Sequence, residues 1–122
     1  MKAAIYARYS GDRQRETSID DQVRNCTRAA ERAALAVCRI YEDKAMTGAV
    51  KARPDYQQML ADADAGLFDV LIVDDLSRLS RDDYEMKGIL RKFAWHELRV
   101  IGVSDGYDST MKGHKIHAGF KG

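Results

Sequence analysis

Ile5-Tyr6-Ala7-Arg8-Tyr9-Ser10-Gly11, close to the start of the chain, predicts a β-strand that ends at a serine. Aromatic and β-branched residues favour a strand, and a serine–glycine pair favours the turn that follows it. Arg8 and Ser10 are two residues apart, so on a strand their side chains project from the same face. A serine hydroxyl beside a guanidinium is suited to attack on a phosphodiester, with the guanidinium on a phosphate oxygen. Taken alone, the stretch also fits a polar turn with a solvated arginine.

Composition indicates one soluble globular domain. The 122 residues are 45% hydrophobic and 32% charged, which is typical of a folded protein and not of a disordered tail. No apolar run has the length of a membrane span, and no signal peptide fits before the first strand, so we expect a cytoplasmic protein without a membrane partner. The net charge of +1 predicts weak binding to nucleic acid by electrostatics alone.

Apolar periodicity predicts three helices. The first begins after Ser18, an N-cap with an acid three residues later. Its predicted buried stripe has spacings typical of a helix on a sheet: Ile19, Val23, Cys26, Ala30, Ala33 and Val37. The second begins at Pro54, ends at Gly66 and carries four side chains inward: Tyr56, Met59, Leu60 and Ala63. The third is marked by Tyr84, Met86, Leu90, Phe93 and Ala94.

Three further strands alternate with these helices, at Val37 to Glu42, Leu67 to Asp74 and Leu98 to Val103. The continuous apolar run in the third strand favours a central position in a parallel sheet. The alternation predicts an α/β fold: a three-layer, doubly wound, mostly parallel sheet in a single domain. Cys26 on the first helix and Cys38 in the second strand are predicted to be buried free thiols, because no metal-ligand spacing accompanies them.

Ligands of such sheets bind at the carboxyl edge of the strands. The residues predicted at that edge are Ser10, Asp43, Asp74, Asp75, Ser104 and Asp105, with Gln22 in the first turn of the nearby helix. Arg78 and Arg81 follow the buried strand directly, and Arg8 and Arg53 are plausible further donors there. Four arginines around one serine repel one another unless an anion joins them, so the cluster predicts a site for a phosphodiester transition state.

At this point the sequence resembles the catalytic domain of the serine recombinases, the group of resolvases, invertases and large phage integrases. Six segments carry the resemblance in family order over residues 3 to about 110: Tyr6-Ala7-Arg8-Tyr9-Ser10, Ser18-Ile19-Asp20-Asp21-Gln22, Asp43 with Thr47-Gly48, Arg53-Pro54, Leu76-Ser77-Arg78-Leu79-Ser80-Arg81-Asp82, and Asp105-Gly106-Tyr107-Asp108-Ser109. The glycine- and histidine-containing tail is more similar to the large members.

The resemblance implies a resolvase-like fold and site-specific recombination of double-stranded DNA. Ser10 would attack the scissile phosphate and leave a 5′-phosphoseryl bond, and strand exchange would follow within a dimer or tetramer, without metal, ATP or another cofactor. The implied catalytic residues are Ser10, Arg8, Arg78, Arg81, Gln22, Asp43 and Arg53. The four arginines Arg8, Arg53, Arg78 and Arg81 would also bind the DNA phosphate.

The chain departs from the family pattern in three places. Ser77 stands where many members have aspartate, and Thr47 stands where serine is frequent. The resemblance also implies that residues 1–110 form the catalytic domain and that 111–122 are a basic tail. The third departure is that the family continues from such a tail into a dimerisation helix and DNA-binding region that are absent here, so the isolated fragment is expected to be inactive. The acceptor of the Ser10 proton stays open between an arginine, Asp74, Asp75 and water.

Two other functions compete. Paired acids such as Asp74 and Asp75 at a strand end also suit a magnesium-dependent enzyme. A non-catalytic module with the same fold is the second alternative, although the serine and its arginines are all present. Among single residues, the simplest interpretation of Tyr6 is a core residue, of Ser80 a cap of the turn, and of Trp95 a packing residue at a helix end.

Overall fold

A five-stranded sheet forms the centre of the fold. The computed structural model describes residues 1–9, 18–44 and 53–110. Their elements in chain order are β1 (Lys2–Tyr9), α1 (Ile19–Arg32), β2 (Ala36–Lys44), α2 (Pro54–Asp64), β3 (Val70–Val73), a 3-10 turn (Leu76–Arg78), α3 (Asp83–Trp95), β4 (Arg99–Gly102) and β5 (Tyr107–Asp108). The strand order is β2-β1-β3-β4-β5; the first four are parallel, and β5 runs antiparallel to β4.

Helices cover both faces of this sheet. On one face α1 places Cys26 and Ala30 against Ile5 of β1 and Ile72 of β3. On the other face α2 and α3 pack in a larger cluster that includes Tyr6, Met59 and Phe93. The predicted three-layer, mostly parallel α/β fold is therefore confirmed. The short antiparallel strand β5 was not predicted, because its two residues are too few to show an alternating pattern.

The helix ends follow from local chemistry. The Ser18 side chain accepts from the backbone N–H of Asp21 at 3.1 Å, so the predicted N-cap of α1 is confirmed. Pro54 occupies the first turn of α2, and Gly66 follows that helix with a φ of +75°, a conformation that glycine adopts without steric cost. The four side chains predicted to face inward from α2 are buried or half-buried, as expected.

Several boundaries differ from the prediction. Helix α1 ends at Arg32, so Ala33 is its exposed cap and Val37 lies in β2. The apolar spacing predicted a longer helix, because an alanine such as Ala33 fits a helix or its cap and a valine such as Val37 fits a helix or a strand. Strand β2 runs on to Lys44 and includes Asp43, and β3 is confined to its four buried residues.

Several side chains predicted to be buried, or to mark an inward face, are exposed, among them the alanines Ala33 and Ala94. Cys38 is exposed on the edge strand β2, where the register with β1 skips one residue, so the prediction of two buried thiols is wrong for Cys38 and right for Cys26. Tyr84 and Trp95 on α3 point away from the sheet. Within the described residues no helix is long and apolar enough to span a membrane.

Candidate active site

The site lies at the carboxyl end of β1, the strand between β2 and β3. Strand β1 pairs with β3 only as far as Tyr6, whereas its pairing with β2 continues through Arg8 and Asp43. The main chain at Arg8 therefore needs other partners on the β3 side. Gln22, fully buried in the first turns of α1, supplies them: its Oε1 accepts from the Arg8 N–H at 3.1 Å and its Nε2 donates to the Arg8 carbonyl at 2.9 Å.

An arginine-bearing loop follows β3 and crosses beside Arg8. Asp75 caps the 3-10 turn by accepting from the Ser77 N–H at 2.9 Å, and the Ser77 hydroxyl donates to the same oxygen. Arg8 donates from Nε to the Arg78 carbonyl and from Nη2 to the Ser77 carbonyl, both at 3.1 Å. Arg78, only 5% exposed, returns a hydrogen bond from Nη1 to the Arg8 carbonyl at 3.1 Å.

Arg53 approaches the same loop from the start of α2. Its Nη2 donates to the Arg78 and Leu79 carbonyls at 3.0 and 3.1 Å. Its guanidinium also donates to the Tyr6 hydroxyl and stacks over the Tyr56 ring, 3.8 Å from the centroid. This stacking combines cation–π attraction with a fixed orientation of the planar guanidinium.

Asp43 joins the site to the second helix. Its carboxylate accepts from the backbone N–H groups of Asp55 and Tyr56 at 3.0 and 2.9 Å, so it caps the amino end of α2 from β2. It also accepts from the Tyr6 hydroxyl at 2.8 Å. Tyr6 thus bridges Asp43 and Arg53. The Asp43 carboxylate accepts hydrogen bonds from the Tyr6 hydroxyl and from two backbone N–H groups of α2, so its role in the described structure is to position these elements.

The electrostatics of the cluster favour a bound anion. Burial lowers the pKa of Arg8, and the positive charges of Arg53, Arg81 and Arg78 lower it further. An anion among these groups would offset their mutual repulsion. The pKa of Tyr6 is raised, mainly by burial, so its hydroxyl stays protonated and can keep donating to Asp43. The arrangement can therefore bind and polarise a phosphate group.

The predicted site residues come together in large part. Arg8, Gln22, Asp43, Arg53 and Arg78 form one hydrogen-bonded group, whereas Arg81 is exposed at the end of the same loop and acts on Arg8 through its charge. The predicted nucleophile Ser10 lies outside the described residues, as does the Thr47-Gly48 pair.

The carboxylates of the two acidic residues after β3, Asp74 and Asp75, accept hydrogen bonds from neighbouring protein groups other than the arginines. Asp74 is buried and accepts from Asn25 of α1 at 3.2 Å and from the Ser104 hydroxyl at 3.3 Å. Asp75 is occupied with Ser77 and lies 3.7 Å from Nε of Arg78. Over the described ranges no three His, Cys, Asp or Glu side chains are grouped as metal ligands.

Two supporting residues were not identified as such from the sequence. Tyr6 was interpreted as a core residue, yet its hydroxyl orients Arg53; its place on the same strand face as Arg8 was the available signal. Asp105 was predicted at this edge of the sheet without a role; it accepts from the Leu76 N–H at 2.6 Å and so holds the arginine loop from the β4 side. A Cβ at Gly102 would lie 3.0 Å from that carboxylate, so a larger residue there would require Asp105 to shift. Ser80 does cap the turn, by accepting from the Asp82 N–H and donating to Glu85.

Comparison with known proteins finds a matching family and similar structures. Residues 3–122 match the family model described as the resolvase N-terminal domain. The N-terminal catalytic domain of TP901-1 integrase is 28% identical, with a TM-score of 0.83 over 95% of this chain and 87% of that one. A resolvase family site-specific recombinase from Streptococcus pneumoniae shares the fold at 23% identity, with a TM-score of 0.80 over 99% and 85% of the two chains. No curated protein sequence matches the chain.

Proposed function

Because the chain belongs to the resolvase N-terminal domain family and is the catalytic domain of a serine site-specific DNA recombinase, we propose that Ser10 is its nucleophile. The Ser10 hydroxyl oxygen bonds to the phosphorus of a DNA phosphodiester as the bond from phosphorus to the 3′ oxygen breaks. The Ser10 hydroxyl gives up its proton and the leaving oxygen takes one up, so a free 3′-hydroxyl forms with no net change in protons. The products are a 5′-phosphoseryl link and a cut strand, and the reverse attack by a 3′-hydroxyl reseals it.

The observation that carries the proposal is the group of arginines beside the end of β1. Arg8 lies two residues before Ser10, and Arg8 and Arg78 are held by hydrogen bonds to each other's carbonyls. Arg53 donates to the same loop, at the Arg78 carbonyl. In phosphoryl transfer the protein acts mainly by positioning and by stabilising the charge that spreads over the phosphate oxygens. Arginines fixed in advance by the protein's own carbonyls need little rearrangement when that charge develops.

In this proposal the residues have distinct roles. Arg8, Arg78 and Arg81 bind the phosphate and stabilise its transition-state charge, while Arg53 contributes charge and fixes the loop. Gln22 and Asp43 hold the main chain of β1 and the start of α2 in place. The phosphoserine bond conserves the energy of the phosphodiester, so ATP is not required, and in this proposal the arginines supply the charge stabilisation that a metal ion would otherwise give. Exchange between two DNA duplexes requires several subunits, so the protein acts as a dimer or tetramer on double-stranded DNA.

The test uses the complete natural protein that contains this chain, with DNA that carries its recombination site, in excess chelator and without nucleotide. We expect a denaturation-resistant protein–DNA adduct at the 5′ end of the cut strand, which is absent for Ser10→Ala. Arg81→Met is the matched arginine variant, since Arg81 is exposed and we expect the variant to keep the fold. It should reduce the adduct by about a hundredfold or more. Cleavage that requires magnesium, or that persists in Ser10→Ala, would contradict the proposal and favour the Asp74–Asp75 alternative.

A further inference from the structure

Two aromatic side chains point into solvent from the outer surface of α3. Tyr84 is 88% exposed and Trp95 is 83% exposed. They are three helical turns apart, so they share one face at a separation of about 16 Å along the axis. Gly88 and Arg91 lie on the same face between them, and the buried Phe93 lies opposite. We call these four residues, Tyr84, Gly88, Arg91 and Trp95, the α3 outer face.

This face has no role in the core of the described fold. Neither aromatic residue belongs to either hydrophobic cluster. A Cβ at Gly88 would meet no atom within 4 Å, so the protein's own packing does not require glycine there. A glycine inside a helix destabilises it by about 1 kcal/mol relative to alanine. A mid-helix glycine between two exposed aromatic residues therefore indicates a surface that another backbone or side chain approaches closely.

The α3 outer face is complementary to itself. The midpoint of the four residues falls between Ile89 and Leu90; Tyr84 lies as far before it as Trp95 lies after it, and the same holds for Gly88 and Arg91. A second copy packed antiparallel, about a two-fold axis at that midpoint, would place its Trp95 against Tyr84. Its Arg91 would lie over Gly88, where a side chain is missing.

The charges at the two ends of α3 fit the same antiparallel arrangement. The first turn is acidic, with Asp83 and Glu85, and the last turns are basic, with Arg91 and Lys92, while the exposed Lys87 lies between them. Within the chain Glu85 accepts from Ser80 and Lys92 lies 3.6 Å from Asp64. In an antiparallel pair each acidic end lies beside the basic end of the other copy, and the two helix dipoles are opposed. A parallel pair would instead bring like charges together.

We propose that the α3 outer face binds the same face of a second copy of this chain, in antiparallel orientation. One pair of helices buries less surface than a standard protein–protein interface, so the dimer is weak, with a Kd on the order of 10–100 μM. The interface is separate from the arginine group and does not depend on the chemistry assigned to Ser10.

Sedimentation equilibrium of the 122-residue chain over a range of concentrations tests the proposal. We expect a reversible monomer–dimer equilibrium, identical for Ser10→Ala, which separates this proposal from the catalytic one. Trp95 is the sole tryptophan, so its fluorescence should shift to shorter wavelength as the dimer forms. Trp95→Ser should weaken the dimer about tenfold or more. The control is Ile40→Ser, which removes another exposed apolar side chain, on β2, and should leave the Kd unchanged.

A charge exchange tests the orientation. Glu85→Lys alone and Lys92→Glu alone should each weaken self-association, because Lys92 of one copy lies beside Glu85 of the other, and mixing the two variants should restore a dimer that contains one copy of each. Circular dichroism confirms that each variant folds. A wild-type chain that stays monomeric, a Trp95→Ser variant that dimerises as well as wild type, or a mixture without recovery would overturn the proposal. So would a monomer whose tryptophan fluorescence changes only with duplex DNA, which would assign the face to nucleic acid.

Discussion

Arg8 and Arg78 hold each other's main chain. Nε of Arg8 donates to the carbonyl of Arg78, and Nη1 of Arg78 donates to the carbonyl of Arg8, each at 3.1 Å across 70 residues of sequence. The two side chains proposed to bind phosphate are thus also the connection between β1 and the loop after β3. The charges proposed to bind phosphate and the local stability of the fold therefore depend on the same two side chains.

Arg78→Met should therefore lower both activity and stability. It leaves the buried Arg8 carbonyl with the Gln22 amide alone, and we expect a loss of about 1–3 kcal/mol in the free energy of unfolding. Denaturant unfolding of the 122-residue chain measures this. Arg81→Met, at an exposed position on the same loop, should change stability by less than about 0.5 kcal/mol while it removes cleavage. Equal stability of the two variants would show that the reciprocal bonds contribute nothing.

Tyr6→Phe should impair cleavage through Arg53. The variant removes a hydroxyl that donates to Asp43 at 2.8 Å and accepts from Arg53 at 3.2 and 3.3 Å. We expect a stability loss of about 1–2 kcal/mol and a reduction in adduct formation of about tenfold.

The matched control is Tyr41→Phe, because the Tyr41 hydroxyl donates to Asp62 at 2.6 Å in an equally buried tyrosine–aspartate pair remote from the arginines. Tyr41→Phe should lose similar stability with full cleavage. If both variants cleave equally well, Tyr6 is only a core residue, as the sequence first indicated.

Asp108 should make the fold sensitive to acid. Hydrogen bonds from Arg99 hold its pKa at about 2, below the ordinary value of 3.8. The ionised carboxylate therefore stabilises the fold above about pH 4, and this stabilisation is lost as the pH falls from 4 towards 2. For this partly exposed pair we expect about 1 kcal/mol.

Urea unfolding at several pH values measures the effect. Asp108→Asn should be less stable than wild type at pH 7, and the difference should vanish near pH 2. Asp21→Asn removes half of an exposed ion pair with Arg24 and should track wild type throughout. A constant difference between Asp108→Asn and wild type at all pH values would contradict the assigned cause.

Substituting glycine for the residue that follows the C-cap of α1 or α3 should stabilise the fold. Ala34 after α1 and Glu97 after α3 have φ angles of +58° and +57°, a left-handed conformation that strains a side chain. Ala34→Gly and Glu97→Gly should each raise the free energy of unfolding by about 0.5–1 kcal/mol. Gly66→Ala, at the corresponding position after α2, should lower it by about 1 kcal/mol. Thermal unfolding of the three variants checks the signs; destabilisation by both new glycines would contradict the argument.

The layered fold and most of the site were predictable because they follow from local patterns. Buried strands and helices of normal length carry clear apolar periodicity, and parallel topology alone brings strand ends such as Arg8, Asp43 and Asp74 to one edge. Strand β5 and the end of α1 at Arg32 were not predictable, since two residues show no period and alanine fits helix, cap and turn alike.

The internal partners of the arginines could not be predicted. The sequence led to the expectation that clustered guanidiniums need an anion to hold them together, whereas the carbonyls of Ser77, Arg78 and Leu79 already accept their hydrogen bonds. Backbone carbonyls carry no sequence signal, so only the path of the loop reveals them. The contact between Asp105 and the Leu76 N–H could not be predicted either, because its donor is also a backbone group.

The most direct test of the central claim is to locate the covalent bond. The complete natural protein is allowed to react in chelator with a site-bearing duplex nicked near the cleavage position, so that resealing cannot occur. The trapped adduct is digested, and the modified peptide is sequenced by tandem mass spectrometry. We predict a phosphodiester-linked nucleotide on Ser10. A nucleotide on any other residue, or cleaved DNA with no covalently modified peptide, would contradict the account.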